Sequence, residues 1–347
     1  MDLQDPLESP PPPVTEAEAE ALLRAYWGLT GRASVIACER DANFRVAGTP
    51  GHVLKISNPA EPAQDTNFQT EALLWVAAQD PALPVPRVIA ALDGRYEVAV
   101  PLSDGRRAVA RVLGWVAGAP LARAGFAPGM AEDIGSVLAR LGCALRGFAH
   151  PAAGHRLQWD IRHALDLRPM LVPGQEDLAA ELDGFAARVA PVLPGLRRQV
   201  VHNDMNHHNI VVDPADPGRI AGVLDFGDMV ETALICDVAV AAAYLITHDP
   251  DPVAPVARMV AAYHRITPLL PAETALLRDL IVARLVTSIV ISETRARRYP
   301  GNAAYILRNT PAMRDAMARF AALPRAEVTA RIEAALSPTA PCGTASA

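Results

Sequence analysis

Two polar runs that join short apolar segments constrain the fold of this chain more than any other feature. The first run, 201–213, reads Val-His-Asn-Asp-Met-Asn-His-His-Asn-Ile-Val-Val-Asp, and the second, 222–228, reads Gly-Val-Leu-Asp-Phe-Gly-Asp. Their apolar ends predict short β-strands, so the polar residues between them are expected on loops that the strands tie together. These loops carry a carboxylate at Asp204, a side-chain amide at Asn209 and a second carboxylate at Asp225.

One base and two oxygen ligands on such loops are what phosphoryl transfer to a hydroxyl requires. We interpret Asp204 as the base that receives the hydroxyl proton, and Asn209 and Asp225 as ligands that hold Mg²⁺ against the nucleotide phosphates. Protein kinases use the same parts in the same order. We interpret His202 as a structural histidine that hydrogen-bonds the loop or the Asp225 segment.

The lysine content is the second informative feature. Lys55 is the single lysine, because every other basic side chain among the 32 lysines and arginines is arginine. It lies in a strand-like segment, 51–57, and it offers a compact ammonium on a thin stem where arginine offers a wide planar fork. We therefore predict that Lys55 pins the nucleotide phosphates. Glu71, on a predicted helix at 64–79, is expected to pair with Lys55 and hold it in place.

Two further segments are candidates for nucleotide contacts. The polar turn 39–44 carries no glycine, and its backbone N–H groups or Asn43 either meet phosphate oxygens or form a plain hairpin turn. The segment 111–118 ends the β-rich part of the chain, and as a hinge it presents backbone groups near Trp115 to the purine edge. Asn43 and Trp115 are therefore candidate nucleotide-binding residues.

The order of predicted elements indicates an α+β fold with two lobes, at 14–113 and 114–336, between a disordered tail at 1–13 and a flexible tail at 337–347. The first lobe is predicted to contain a helix from an N-cap at Thr15 to about Trp27, a helix at 64–79, and strands at 33–38, 43–47, 52–57, 88–92, 96–101 and 107–113. The second lobe is predicted to contain helices at 129–149, 175–190, 233–247, 252–265, 271–298 and 311–322, and strands at 199–202, 209–213 and 219–224. A small antiparallel β-rich lobe followed by a large α-helical lobe is the protein-kinase-like plan.

Composition argues against several classes of partner. The 347-residue chain has a formal net charge of −6, which disfavours nucleic acid and anionic membranes. No segment reaches the roughly 18 apolar residues of a transmembrane helix, and the acidic, proline-rich N-terminus is not a signal peptide. The four cysteines lack metal or disulfide spacing and are expected to be reduced thiols of a cytoplasmic protein; they are Cys38, Cys143, Cys236 and Cys342.

These residues together resemble the aminoglycoside phosphotransferase and choline kinase-like superfamily, and within it the hydroxylysine kinase group. The resemblance covers about residues 17–325 and rests on the segments 39–44, 53–56, 159–162, 202–209 and 222–230, with Glu71, Arg284, Leu285, Ser288, Asn302 and Tyr305. One departure is Asn203, where the family usually has glycine. The resemblance implies transfer of a γ-phosphoryl group from ATP or GTP to the side-chain hydroxyl of 5-hydroxy-L-lysine.

The acceptor site is expected beside Asp204. Asp228, Glu231 and Asp160 are candidates to hold a substrate ammonium. Arg284, in an apolar helix, is a candidate partner of a substrate carboxylate, and a core arginine bonded to helix ends is the alternative.

Other functions remain open on the sequence. The acceptor can instead be an aminoglycoside, homoserine or choline, although choline requires an aromatic cage and aromatic residues make up only 5% of the chain. An inactive nucleotide-binding module is disfavoured by the intact kinase motif. A metal hydrolase lacks the regular ligand spacing of zinc sites; it would be built on His202, Asp204, His207 and His208.

Overall fold

The structure of the chain is a computed structural model, which describes residues 10–38, 40–246 and 249–337. Most of the two predicted tails, together with Glu39 of the polar turn and Cys342, lies outside the described residues. Among the described residues, no helix combines the length and apolar composition needed to cross a bilayer.

The chain packs as two compact units. The first unit contains the residues up to Gly118 together with Phe148–Ala153 and Ala221–Gly227, and the second contains the remainder. The predicted lobes are contiguous in sequence, whereas two later segments join the first unit. This difference arises because packing, and not chain order, decides which residues share a unit.

An antiparallel sheet forms the centre of the first unit. Its strands are β1 (Ala33–Ile36), β2 (Ala42–Val46), β3 (His52–Ile56), β4 (Val88–Ile89), β5 (Val98–Pro101) and β6 (Arg107–Gly114). Their order is β1-β2-β3-β6-β4, and β5 also pairs with β6. Because side chains alternate along a strand, Leu54 and Val112 face the apolar core while Lys55 and Arg111 face the opposite side.

Two helices accompany this sheet, α1 (Glu16–Leu22), which continues as a π-helical segment over Leu23–Trp27, and α2 (Ala63–Gln79). The predicted N-cap is confirmed: the Thr15 hydroxyl accepts the Glu18 N–H at 3.2 Å, and the Glu18 carboxylate accepts the Thr15 N–H at 2.7 Å. The buried Trp27 donates from its indole to the Ile89 carbonyl at 3.1 Å. The helix is thereby fastened to the sheet at its C-terminal end.

Helices dominate the second unit. They are α3 (Leu121–Ala124), α4 (Met130–Ala144), α5 (Glu176–Arg188), α6 (Leu234–Leu245), α7 (Val253–Ile266), α8 (Pro271–Thr274), α9 (Leu277–Arg298), α10 (Ala303–Ile306), α11 (Thr310–Ala321) and α12 (Arg325–Leu336), with 3-10 segments at Ile161–Met170, Leu193–Gly195 and Pro300–Asn302. Every residue from Leu277 to Ile291 is buried, so the first four turns of α9 lie inside the core. The segment Ile161–Met170 and helix α12 were not predicted.

Short strands anchor the polar loops that follow Gly118. They are β7 (Ala119–Pro120), β8 (Arg198–Val201), β9 (Ile210–Asp213), β10 (Asp216–Val223) and β11 (Val230–Ala233). All of them lie in the second unit except the last three residues of β10. Strand β8 pairs with β11, which was not predicted, and β9 lies between β10 and β7. Since β8 ends at Val201 and β9 begins at Ile210, both ends of the loop 202–209 are held by strands.

Candidate active site

A buried carboxylate holds the backbone of the loop 202–209. The N–H groups of His202 and Asn203 donate to Asp237 on α6, and the distance from the Asn203 nitrogen to Asp237 Oδ1 is 2.7 Å. Burial raises the pKa of Asp237 to about 7, and the two N–H donors oppose this rise. Asn203 has a φ of +62°, a left-handed conformation that asparagine tolerates better than most residues. Asparagine is therefore compatible with a position where the family usually has glycine.

Asp237 is a site residue that sequence analysis missed. It is the single acidic residue of α6, whose sequence is Leu-Ile-Cys-Asp-Val-Ala-Val-Ala-Ala-Ala-Tyr-Leu. A carboxylate in such a helix has to find hydrogen-bond donors when it is buried, so its isolation was the available signal. Its partners lie 34 and 35 residues earlier in the chain, and only packing identifies them.

Both side-chain oxygens of Asp204 accept hydrogen bonds. Asn209 Nδ2 donates to Asp204 Oδ2 at 2.7 Å and to the Asp204 backbone carbonyl at 3.0 Å. Arg284 Nη2 donates to Asp204 Oδ1 at 2.9 Å. The carboxylate is oriented from two sides, yet 18% of its side chain remains exposed to solvent. Because Asp204 uses the amide nitrogen of Asn209, the carbonyl oxygen of that amide is the atom suited to a hard cation.

Both terminal nitrogens of the Arg284 guanidinium have internal partners, whereas its buried Nε has no acceptor among the described residues. Arg284 is 2% exposed on α9 and, besides Asp204, donates to the Trp159 carbonyl at 3.0 Å and to the Tyr244 hydroxyl at 3.1 Å. Its guanidinium carbon lies 5.5 Å from the Trp159 ring centre and 5.7 Å from the Tyr244 ring centre. Its cation thus orients Asp204 from the core of α9, which fits the alternative of a core arginine, and the contact with a substrate carboxylate stays a prediction.

Replacement of Arg284 by methionine is expected to lower kcat on the order of 10- to 100-fold, because Asp204 loses one of its two orienting donors. The acid limb of the kcat profile is expected to move to higher pH, since loss of a cation 2.9 Å from Asp204 Oδ1 favours the protonated carboxyl. Arg278→Met is the matched control: Arg278 is buried on the same helix but bonds Glu181 at 3.2 Å. An acid limb that stays in place in Arg284→Met contradicts the assignment.

Two of the predicted ammonium-binding residues have structural roles. Asp160 is completely buried; its Oδ1 accepts the Arg162 N–H at 2.9 Å and the Thr232 hydroxyl at 3.2 Å. It caps the 3-10 segment that follows, so the prediction that it meets a substrate ammonium is corrected. Glu231 lies on β11, and its carboxylate is 3.6 Å from Arg198 Nε in a half-exposed pair.

Asp228 is the predicted ammonium partner whose charge acts on Arg284, the residue that orients the base. Asp228 is half-buried in the second unit. Because Arg284 also bonds Asp204, the two carboxylates share one cationic neighbour. Asp228 is therefore the better candidate for substrate contact than Asp160 or Glu231.

Asp225 belongs to the first unit and is exposed. Its φ is +57°, and its Oδ1 accepts the Gly227 N–H at 3.1 Å. A Cβ at Gly227 would lie 3.0 Å from that oxygen, and a Cβ at Gly222 would lie 2.2 Å from Val116 Cγ1. Gly222 therefore permits an approach that a side chain would prevent, and Gly227 permits a tight one. The turn between them presents the Asp225 carboxylate to solvent.

Lys55 stands in a row of polar side chains across three strands of the first unit. In the sheet register it is opposite Asn43 on β2 and Arg111 on β6. Directly opposite residues of antiparallel strands point to the same face, so the three side chains are neighbours. The Asn43 Oδ1 atom is buried and has no hydrogen-bond donor among the described residues. The nearby Glu61 carboxylate interacts electrostatically with Lys55, and burial raises its pKa.

The predicted Lys55–Glu71 pair is not present within the described chain. Glu71 is exposed on α2, whereas Thr66, Gln69 and Thr70 are buried. Residues three and four apart share a helix face, and position 71 points away from the face that these three residues define. The rotation of α2, which the sequence pattern did not reveal, therefore directs Glu71 to solvent.

Replacement of Lys55 by arginine tests whether this position requires the shape of lysine and not charge alone. We expect kcat/KM for the nucleotide to fall about ten-fold or more with folding intact, because the planar fork does not fit a site built for a thin stem. Since Lys55 is the single lysine, an amine-directed nucleotide analogue should label it, and nucleotide with Mg²⁺ should protect it. Labelling that ignores nucleotide, or an arginine variant with normal kinetics, contradicts this role.

Two backbone N–H groups of the predicted hinge, 111–118, are hydrogen-bonded within the protein. The Trp115 N–H donates to the Gly51 carbonyl at 2.9 Å, and the Gly114 N–H donates to the Arg87 carbonyl at 2.8 Å. The Trp115 ring is 37% exposed, with the Arg45 guanidinium carbon 4.4 Å from its centre. The Trp115 N–H is thus already bonded within the protein. A contact of the Trp115 ring or carbonyl with the nucleotide base stays a prediction.

The fold and the kinase residues together define a protein-kinase-like phosphotransferase with an alcohol group as acceptor. The chain belongs to the Phosphotransferase enzyme family (APH), since residues 36–278 match the sequence model of that family. It is 26% identical over 321 residues to a hydroxylysine kinase of Danio rerio, an alignment that covers 85% of this chain and 88% of that protein.

Solved structures show the same fold. An amicoumacin kinase, in complex with AMP-PNP and Ca²⁺, has a TM-score of 0.68 at 14% identity and covers 92% of this chain and 94% of its own. A microcompartment-associated aminopropanol kinase has a TM-score of 0.66 at 19% identity and covers 91% and 96%. These comparisons confirm the predicted superfamily and the predicted protein-kinase-like α+β fold, with its small antiparallel sheet and large helical part.

Proposed function

We propose that this protein transfers the γ-phosphoryl group of ATP or GTP to the hydroxyl of a small amino-alcohol or hydroxy-amino acid, with 5-hydroxy-L-lysine as the first candidate. The observation that carries the proposal is the Asp204 carboxylate, which Asn209 and Arg284 orient while part of it stays exposed. The hydroxylysine kinase relative supports the choice of acceptor.

Asp204 acts as the base in this proposal. An acceptor hydroxyl that donates to Asp204 loses its proton to the carboxylate as its oxygen attacks the γ-phosphorus. The bond from that phosphorus to the oxygen of the β-phosphate breaks, and nucleoside diphosphate leaves. Arg284 keeps the carboxylate ionised and directed, because it places a cation 2.9 Å from Oδ1. Asp237 contributes indirectly by fixing the backbone of the loop that carries Asp204.

Mg²⁺ is the metal that the proposed site residues fit. The carbonyl oxygen of Asn209 and the exposed carboxylate of Asp225 are hard oxygen donors, which Mg²⁺ prefers, and we propose that each supplies one ligand. The metal, when bound, offsets the negative charge of the nucleotide phosphates. Lys55 supplies a further positive charge for the same phosphates, as the kinase motif predicts.

Recognition of the acceptor is proposed to depend on its ammonium group. Asp228 is half-buried and its charge acts on Arg284, the cation that bonds Asp204, so we assign it as the acidic partner of the ammonium. Hydroxylysine and aminopropanol, the acceptors in the names of two similar proteins, each combine an amine with a hydroxyl. We therefore expect amino-alcohols to be preferred over alcohols without an amine.

The test is a turnover screen of the purified protein with Mg²⁺ and either ATP or GTP. The acceptors are 5-hydroxy-L-lysine, 1-amino-2-propanol, L-homoserine, choline and an aminoglycoside, and the readout is the phosphorylated product by mass spectrometry. Asp204→Asn serves as the inactive control for each acceptor. Preferred turnover of homoserine or an aminoglycoside selects the alternative acceptor class, and no phosphorylation of any amino-alcohol contradicts the proposal.

The alternative metal hydrolase has little structural support. Over residues 10–38, 40–246 and 249–337, no three or more His, Cys, Asp or Glu side chains converge as a metal-ligand group. A hydrolytic zinc centre requires such convergence. An inactive nucleotide-binding module would show nucleotide binding without turnover of any acceptor in the screen above.

A further inference from the structure

Arg111 carries a buried positive charge that forms no direct ion pair among the described residues, although Glu61, Asp41, Glu97 and Asp225 act on it electrostatically. The residue is 2% exposed on β6, and no carboxylate of the described chain lies within ion-pair distance of it. Burial lowers the pKa of Arg111, and the more distant charges of Glu61 and Asp41 oppose this shift. The guanidinium nevertheless remains protonated, and a buried cation is stable only when a negative charge or hydrogen-bond acceptors compensate it.

The hydrogen-bond partners of Arg111 are neutral, and all of them lie on α2. Nη1 donates to the Thr66 carbonyl and to the Thr70 hydroxyl, each at 3.2 Å, and Nη2 donates to Gln69 Oε1. The Nε–H group is buried and has no acceptor among the described residues. Arg111 therefore fastens α2 to the sheet. Helix α2 was predicted to supply the acidic partner of Lys55, Glu71, but the charge found between this helix and the sheet is the positive charge of Arg111.

The sheet register places this charge next to another of the same sign. Arg111 on β6 is directly opposite Lys55 on β3, and Asn43 continues the row on β2. Like charges in directly opposite positions destabilise a sheet pair. The exposed Asp225 is a further charge that acts on Arg111 in this unit. The Glu61 carboxylate acts on both cations, and a polyanion bound at this sheet face would compensate the pair further.

We infer that Arg111 is a positioning residue for the nucleotide: its buried charge raises the affinity of the Lys55 row for the triphosphate, and its hydrogen bonds fix α2 in the role that Glu71 was predicted to fill. The inference rests on the proposed nucleotide-dependent function. The contact between α2 and the sheet, which was expected to involve Glu71, is made instead by Gln69 and Arg111. Glu71, exposed on the same helix, has no part in it.

Nucleotide binding, measured without an acceptor, tests the inference. Isothermal titration of ATP and of GTP with Mg²⁺ is expected to show a Kd about ten-fold or more weaker for Arg111→Met than for the wild type. Two controls should stay within about two-fold: Glu71→Gln on the exposed face of α2, and Arg107→Met at an exposed position of β6. Arg111→Met with wild-type affinity, or Glu71→Gln with an equal loss, overturns the inference.

Gln69→Glu separates the charge of Arg111 from its structural tether. This variant puts a carboxylate where Gln69 Oε1 already meets Arg111, so the hydrogen bond is kept and the charge is neutralised. The expected result is a higher midpoint of thermal unfolding without nucleotide, together with a Kd about five-fold or more weaker. If Arg111→Met does not fold, Gln69→Glu still tests whether the charge of Arg111 raises nucleotide affinity. Unchanged nucleotide affinity in folded Gln69→Glu overturns the electrostatic role. A wild-type protein that binds neither nucleotide contradicts the proposed function as well.

Discussion

Replacement of Asp204 by asparagine is expected to lower kcat by about 10²–10⁴ and to leave nucleotide affinity nearly unchanged. The amide keeps the shape of the carboxylate but does not accept a proton at neutral pH. It also places an NH₂ group against one of two donors, Asn209 Nδ2 or Arg284 Nη2, so part of the orientation is lost. Steady-state kinetics with saturating acceptor measure the loss, and titration calorimetry measures nucleotide affinity.

Asp216→Asn is the matched control for this prediction. Asp216 lies on β10 with an exposed side chain, so the same chemical change there should leave kcat within about two-fold. Asp204→Asn with a kcat within a few-fold of the wild type excludes Asp204 as the base. The site would then have to act through positioning of the reactants alone.

Removal of the Asp225 carboxylate is expected to abolish detectable turnover and to remove the Mg²⁺ dependence of nucleotide binding. Asp225→Ala deletes the proposed metal ligand, but alanine is also strained at a φ of +57°. Asp225→Asn is the better-matched variant, because asparagine tolerates that conformation and loses only the charge. Both variants should reduce kcat at least about 10³-fold, since the metal offsets the charge of the transferring phosphoryl group.

Titration of nucleotide with and without Mg²⁺ separates metal binding from folding in these variants. The wild type should bind nucleotide more tightly when Mg²⁺ is present, whereas both Asp225 variants should bind it equally in either condition. Retained Mg²⁺ dependence in Asp225→Asn contradicts the assignment. Turnover supported by Zn²⁺ and not by Mg²⁺ instead favours the hydrolase alternative.

Local chemistry made much of the fold predictable. Alternation of apolar residues located the strands around Lys55, and the capping box at Thr15 is formed by residues three positions apart. The loop 202–209 was equally predictable, since Asp204 and Asn209 are five positions apart and form a hydrogen bond with each other. Strand β11 was missed because the polar residues Glu231 and Thr232 occupy its centre and interrupt the apolar pattern.

The sequence alone thus determined the residue types of the chemistry and the loops that carry them. Tertiary structure decided which charges meet: Arg284 reaches Asp204 across 80 residues, and Asp160 is buried as a helix cap beside Thr232. The direction in which a charge points depends on the rotation of a helix and on the element packed against it. A one-residue shift in register turns a helix position by about 100°, so the spacing of Glu71 from Lys55 did not reveal that the sheet faces Gln69 instead.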